Sequence, residues 1–147
     1  MDFRQTLIYR FAQLSTAQRA SLDKTLQPIG LFAGQIFVLF ALWENDRQSQ
    51  AELSDRLGIS APAVLKMVRS LSEADLVVAR KSESDARINI VELTQMGREV
   101  RENAEAIWKM ADDRFAENLT KGERAILGEL IDKIRVGMDS AGDGEVD

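Results

Sequence analysis

The 147-residue sequence has no cysteine and no histidine. Without cysteine there is no disulfide framework, no thiolate nucleophile and no cysteine redox switch. Without histidine the chain lacks the usual general base, the commonest metal ligand and the one side chain that ordinarily titrates near neutral pH. Catalysis would have to rest on Asp, Glu, Lys, Ser or Tyr, and there is no glycine-rich phosphate loop, so no enzyme is expected and no cofactor or metal site is assigned. The longest unbroken apolar run, Ile36 to Trp43, is eight residues, far short of a membrane span. The first residues, MDFRQTLIYR, show no signal-peptide pattern. A cytoplasmic protein of a single domain is the expectation.

The net charge is −5, which alone would argue against a nucleic-acid partner. Its distribution argues otherwise. Residues 47–87 carry seven basic side chains (Arg47, Arg56, Lys66, Arg69, Arg80, Lys81 and Arg87) against six acidic ones, whereas residues 88–147 carry eight basic and fourteen acidic. Phosphate contact needs a local basic face, not a basic average.

The pattern of apolar residues predicts a mainly α fold with a small β-hairpin wing. Phe3, Leu7, Phe11, Leu14, Leu22 and Leu26 form a stripe along a first helix over 3–26, which Pro28 and Gly30 end. Residues 31–45 form a second helix, apolar on most sides from Ile36 to Trp43, as a central core helix is. Ser49 and Glu52 then make a capping box for a short helix that stops at Gly58, where glycine takes the left-handed turn between two helices. Ser60 caps the next helix, Pro62 fits its first turn, and Ile59 packs on Val64. Val64, Met67, Val68 and Leu71 face inward there. Ala61, Pro62, Leu65, Lys66, Arg69 and Ser72 face outward.

Two helices joined by a tight turn and followed by a ribbon form a winged helix-turn-helix, which sets its second helix in a DNA major groove. Val77–Lys81 and Arg87–Leu93 supply the strands, and Ser82–Ala86 the turn. The adjacency of Ile90 and Val91 breaks the alternation of the second strand, through a bulge or burial on both faces. Arg80, Lys81 and Arg87 gather at one end of the hairpin, and Asp85 can hold the Arg87 guanidinium extended toward a minor groove. Lys66 and Arg69 can reach guanine or phosphate, while Ala61, Pro62 and Leu65 offer apolar contact to thymine methyls; alternatively the two cations are plain solvated surface. Thr94 caps a helix to about Asn118. Thr120 and Glu123 form a second capping box for a last helix carrying Leu127, Leu130, Ile131, Ile134 and Met138. The terminal helices carry more apolar stripe than one winged domain needs, so a twofold dimer on a pseudo-palindrome is expected.

The order of elements resembles the MarR family of multiple-antibiotic-resistance-type regulators over roughly residues 5–138. The most specific residues are Asp85, Ala86 and Arg87, then Leu93, Thr94 and Gly97, after Leu53-Ser54 and Ile59-Ser60. The resemblance implies a winged helix-turn-helix lobe (31–93) within one domain (1–138) and a helical dimerisation region from both termini (1–30 and 94–138); the acidic, glycine-containing composition of 139–147 predicts a disordered tail. It implies Arg87 in the minor groove with Asp85 positioning it, and a recognition helix over Ser60–Arg69. The expected DNA contacts are thus Ser49 and Gln50, then Ser60, Ala61, Pro62, Ala63, Leu65, Lys66 and Arg69, then Arg80, Lys81, Asp85 and Arg87. Asp75 stands where the family usually has glycine, and aspartate tolerates the left-handed turn. Family members often release DNA on binding a small aromatic or anionic effector. Tyr9, Arg10, Phe37, Trp43, Met67 and Trp108 are the candidates for such a pocket, although aromatics at helical spacing are more often core. The implied function is a sequence-specific DNA-binding repressor; the alternative is a winged-helix protein-interaction module.

Overall fold

A computed structural model describes residues 1–142 and forms two compact units, Met1–Ala111 and a second that begins at Asp112. In the first unit, a 3-10 turn at Phe3–Gln5 precedes α1 (Leu7–Leu26). The helix starts later than its apolar spacing suggests because the Thr6 hydroxyl caps it, accepting the Tyr9 N–H at 3.3 Å. Its stripe divides. Leu22 and Leu26 are buried, while Phe3, Leu7, Phe11 and Leu14 are exposed.

Helix α2 (Ala33–Glu44) is the centre of the unit. Ile36, Val38, Leu39, Ala41 and Leu42 are all buried, each of the larger ones contributing roughly 1.5–3 kcal/mol by removal from water. Its free N-terminal donors are met by side chains. The Gln35 amide oxygen accepts the Phe32 N–H at 2.8 Å, and the Asp23 carboxylate accepts that of Ala33 at 2.6 Å. Gln48, itself buried, donates to the Ala41 carbonyl at 2.8 Å and to that of Asn45, closing the other end. No single helix among the described residues is long and apolar enough to cross a membrane.

Around α2 lie α3 (Gln50–Leu57), α4 (Ala61–Glu73) and an antiparallel sheet of β1 (Gln48–Ser49), β2 (Val77–Lys81) and β3 (Asn89–Leu93), in the order β1-β3-β2. The expected two-stranded ribbon is therefore three-stranded. A two-residue strand directly before a helix cap has too little pattern to read. The β2–β3 register runs unbroken from Val77 opposite Leu93 to Lys81 opposite Asn89. No bulge explains the Ile90–Val91 pair; Val91 is buried and Ile90 half-buried, on opposite faces. Asp75 takes the left-handed turn before β2 with φ 63°.

The helix expected from Thr94 to Asn118 is two helices, α5 (Gln95–Glu99) and α6 (Arg101–Phe115). The break falls at Val100, whose N–H is shared between the Met96 and Arg98 carbonyls. Gly97 explains why α5 can lie where it does: a Cβ there would stand 2.0 Å from the Leu76 carbonyl oxygen. Trp43 donates from its indole to the Gly97 carbonyl at 2.9 Å, locking the same spot from α2.

In the second unit, Thr120 and Glu123 form the expected capping box, with bonds of 2.8 and 3.2 Å. They open α7 (Lys121–Gly142), which leaves Ile126, Leu130, Ile131, Ile134 and Met138 exposed. The helix continues through residues 139–142, where the sequence suggests disorder; no proline interrupts it. Residues 143–147 of the expected tail lie outside the described residues.

Two glycines should behave differently on substitution. Gly97→Ala is expected to cost about 3 kcal/mol by forced overpacking. Gly58→Ala, with φ 63° but open space around it, is expected to cost only about 1–2 kcal/mol of backbone strain. Chemical denaturation of both variants checks the ranking; equal losses would contradict it.

Candidate nucleic-acid interface

Helix α4 is set in place by its caps and by one buried polar contact. The Ser60 hydroxyl accepts the Ala63 N–H at 3.3 Å, and Pro62 occupies the first turn. Gly58, with φ 63°, turns the chain from α3, and the Ser54 hydroxyl donates to the Ile59 carbonyl across that turn. Val64, Val68 and Leu71 are buried, and Met67 packs over Gly34 of α2. Gln35 also donates to the Ser70 hydroxyl at 2.6 Å, tying α2 to α4. This leaves Ala61, Pro62, Leu65, Lys66 and Arg69 exposed on the outer side, with Ala63 half-buried. Ser72, expected outside, is half-buried near the end of the helix.

The wing tip is built around Asp85. Its carboxylate accepts three bonds of 3.0 Å from Arg87, one from the backbone N–H and two from Nε and Nη2 of the guanidinium. The Arg87 side chain is 90% exposed. The turn is closed beneath it by Ser82 N–H to the Ile88 carbonyl at 2.8 Å and Ile88 N–H to the Asp85 carbonyl at 3.0 Å. The side-chain bond from Arg87, then its backbone N–H, hold the Asp85 carboxyl below its ordinary value of 3.8. The same pairing raises the Arg87 guanidinium.

The other cations are not equivalent. Arg80 Nε lies 2.9 Å from Glu92, Arg47 Nε lies 3.6 Å from the same carboxylate, and Arg56 pairs with Glu44. Lys81 donates to the Ala86 carbonyl at 3.0 Å. Lys66 and Arg69 have no carboxylate partner among the described residues. Ser49 is engaged in its capping box, accepting the Glu52 N–H at 3.1 Å and donating to its carboxylate at 2.7 Å. Gln50, half-buried, begins α3.

The six candidate effector residues fall in three settings. Phe37 and Trp108 meet edge to face at 5.6 Å, and Phe40 joins Trp108 at 4.9 Å and Trp43 at 5.6 Å. Met67 fills the seam between α4 and α2. Tyr9 and Arg10 sit on α1, where Tyr9 helps line an open groove with Ala12, Gln13 and Thr16, and Arg10 is bonded to Gln5. Sequence reasoning missed Arg101, whose guanidinium lies 6.0 Å from the Trp43 ring centre. It also missed Gln35, Asp46 and Glu92. The one available signal was Gln35, a lone amide in the first turn of an otherwise apolar helix.

A capped helix pair with an arginine-tipped three-stranded wing is a winged helix-turn-helix, and residues 31–88 match the sequence model of the MarR family. Over 128 residues the chain is 27% identical to the HTH-type transcriptional repressor Rv2887 of Mycobacterium tuberculosis, covering 87% of this chain and 90% of that one. The transcriptional repressor CouR, solved bound to a 23-mer DNA duplex, superposes with a TM-score of 0.83 at 27% identity over 91% of this chain and 95% of that one. BpsR of Bordetella bronchiseptica, whose DNA binding is regulated by 6-hydroxynicotinic acid, shares the fold with a TM-score of 0.85 at 21% identity, over 92% of this chain and 96% of that one. The chain shares this fold, with Asp75 in the turn before its wing.

The Asp85–Arg87 pair contributes above the ordinary aspartate value and is lost as pH falls through the lowered one. An NMR titration of the Asp85 carboxyl is expected to give a midpoint below 3.8 and to move back toward that value in Arg87→Ala. An unchanged midpoint would mean that the pair does not persist in solution.

Proposed function

We propose that this chain is a MarR-family regulator of transcription that binds double-stranded DNA sequence-specifically, a repressor that acts as a homodimer. The observation that carries this reading is the wing tip. There, an almost fully exposed guanidinium is fixed by a bidentate carboxylate, next in sequence to a helix whose outer face offers Lys66 and Arg69. Arg87 enters the minor groove, and the N-terminal turns of α4 enter the major groove. The names of CouR and Rv2887 as repressors, and the DNA seen with CouR, support it.

The dimer follows from apolar surface. Phe3 in the 3-10 turn, Leu7, Ile8 and Phe11 on α1, and Ile126, Leu130 and Ile134 on α7, are exposed in the single chain, and exposed apolar patches mark interaction sites. A twofold pair sets two reading heads about one DNA turn apart, on a pseudo-palindrome. The aromatic cluster of Phe37, Trp43 and Trp108, with Arg101 beside it, is the place for a small aromatic or anionic effector that releases DNA. A cytoplasmic location follows from the DNA partner, and no catalytic turnover is assigned. The acidic balance of the whole chain favours one competing reading, a winged-helix module that binds protein alone.

Selection of bound fragments from genomic DNA tests the two readings. A shared palindrome with half-sites about ten base pairs apart is expected, and no enrichment at low salt would favour the protein module. On the recovered site, Arg87→Ala is expected to weaken binding with fold and dimer intact. Lys66→Ala or Arg69→Ala is expected to cost roughly 1–3 kcal/mol and relax one base position if it reads a base. Fluorescence titrations at fixed salt measure these losses.

A further inference from the structure

The sheet carries, on the face away from the core, a carboxylate held between two arginines. Val77, Val91 and Leu93 are the buried residues of the paired strands, so the alternation of side chains puts Arg80 and Glu92 together on the opposite face. Glu92 is on the middle strand. Opposite Val78, it has Arg80 as its diagonal neighbour on β2. On the other side, Gln48 of β1 is opposite Val91, which brings Arg47, just before β1, alongside Glu92. The resulting distances are 2.9 Å from Glu92 Oε1 to Arg80 Nε and 3.6 Å from Oε2 to Arg47 Nε.

The arrangement is held by further bonds. Arg47 has φ 63°, a left-handed conformation that costs a non-glycine residue about 1–2 kcal/mol. Asp46 holds it there. Asp46 Oδ1 accepts the N–H of Arg47 at 2.8 Å and that of Leu93 at 2.9 Å, while Oδ2 accepts from Arg98 at 2.8 Å. The strained residue is thus pinned to the end of β3. Both arginine side chains are about two-thirds exposed, against 21% for Glu92.

We propose that Glu92 is an internal stand-in for DNA phosphate, occupying Arg80 and Arg47 in the free protein and thereby setting how tightly the reading head holds DNA. The proposal rests on the DNA-binding reading above. A carboxylate and a phosphate offer a guanidinium similar oxygen pairs. A phosphate that takes Arg80 must first displace Glu92, and the abandoned carboxylate then gathers a cation from solution. That uptake offsets the counterion released from DNA, so these two arginines add little to the salt-dependent part of binding. The reading head therefore works with a smaller set of phosphate-neutralising cations than its sequence contains.

Glu92→Gln removes the charge and keeps the shape. Three measurements are made on the full chain: binding to the selected operator, binding to a random duplex, and elution from a heparin column, each across a salt series. The variant is expected to bind both duplexes more tightly at low salt, to elute from heparin later, and to show a plot of log K against log salt steeper by ~0.9 for each arginine freed per head. Adding Arg80→Ala to Glu92→Gln is expected to remove part of that gain. Unchanged slopes and elution, with wild type binding normally, would overturn the proposal alone. Weaker binding with a lowered thermal midpoint would also overturn it, by showing Glu92 to be only a strap for the sheet. Failure of wild type to hold any duplex at low salt would remove the DNA reading itself, and this proposal with it.

Discussion

Helix α2 is apolar on nearly every side, and a helix of that kind has no face to give to water. The rest of the first unit is arranged by that constraint. The buried end of α1, the inner stripe of α4, Leu53 of α3, Val91 and Leu93 of β3, and Ala104 of α6 join α2 in one core. The elements that face solvent do so because their other side is already committed. This is how an acidic protein can show a cationic helix on its surface: Val64, Val68 and Leu71 face the core, and Lys66 and Arg69 are left outward by helical spacing.

Polar side chains make the arrangement specific. Hydrophobic packing alone allows some freedom of rotation and register, whereas a buried amide accepts few partners. Gln35 bridges the start of α2 and the middle of α4, and Gln48 closes the end of α2 from the first residue of the sheet. Asp46 connects the same region to β3 and α5. Among the described residues, no buried side-chain nitrogen or oxygen lacks a hydrogen-bond partner. The helix that would enter DNA and the strands that carry the wing are therefore set by bonds that start from one central element.

The sequence made the helix pair legible through short-range rules, since the capping boxes at Ser49 and Thr120, the N-cap at Ser60 and the left-handed Gly58 each need only neighbours within a few positions. The Asp85–Arg87 pair was legible for the same reason. The ion pairs of Glu92 were not, because Arg47 and Arg80 are far from it in the chain and meet it only through strand register. Likewise, the division of α1 into a buried and a bare half, and the break at Val100, follow from what packs against each helix, which periodicity does not state. The aromatic cluster shows both sides. Phe37 and Trp43 share one helix, as their spacing suggests, but Trp108 meets Phe37 only through tertiary packing, Tyr9 and Arg10 stay on the surface of α1, and Arg101 enters from a helix whose polar residues look like ordinary solvated surface.

The bidentate hold on Arg87 has a consequence for what the wing can perceive. A free arginine has several rotamers and can follow a groove of almost any shape. A guanidinium fixed by two bonds to a closed turn cannot. In the DNA-binding reading, such a probe fits where the minor groove is already narrow or narrows at little elastic cost, and is left stranded where the groove is wide and stiff. The wing then discriminates among sequences through the mechanics of the duplex, at base pairs whose edges no side chain touches.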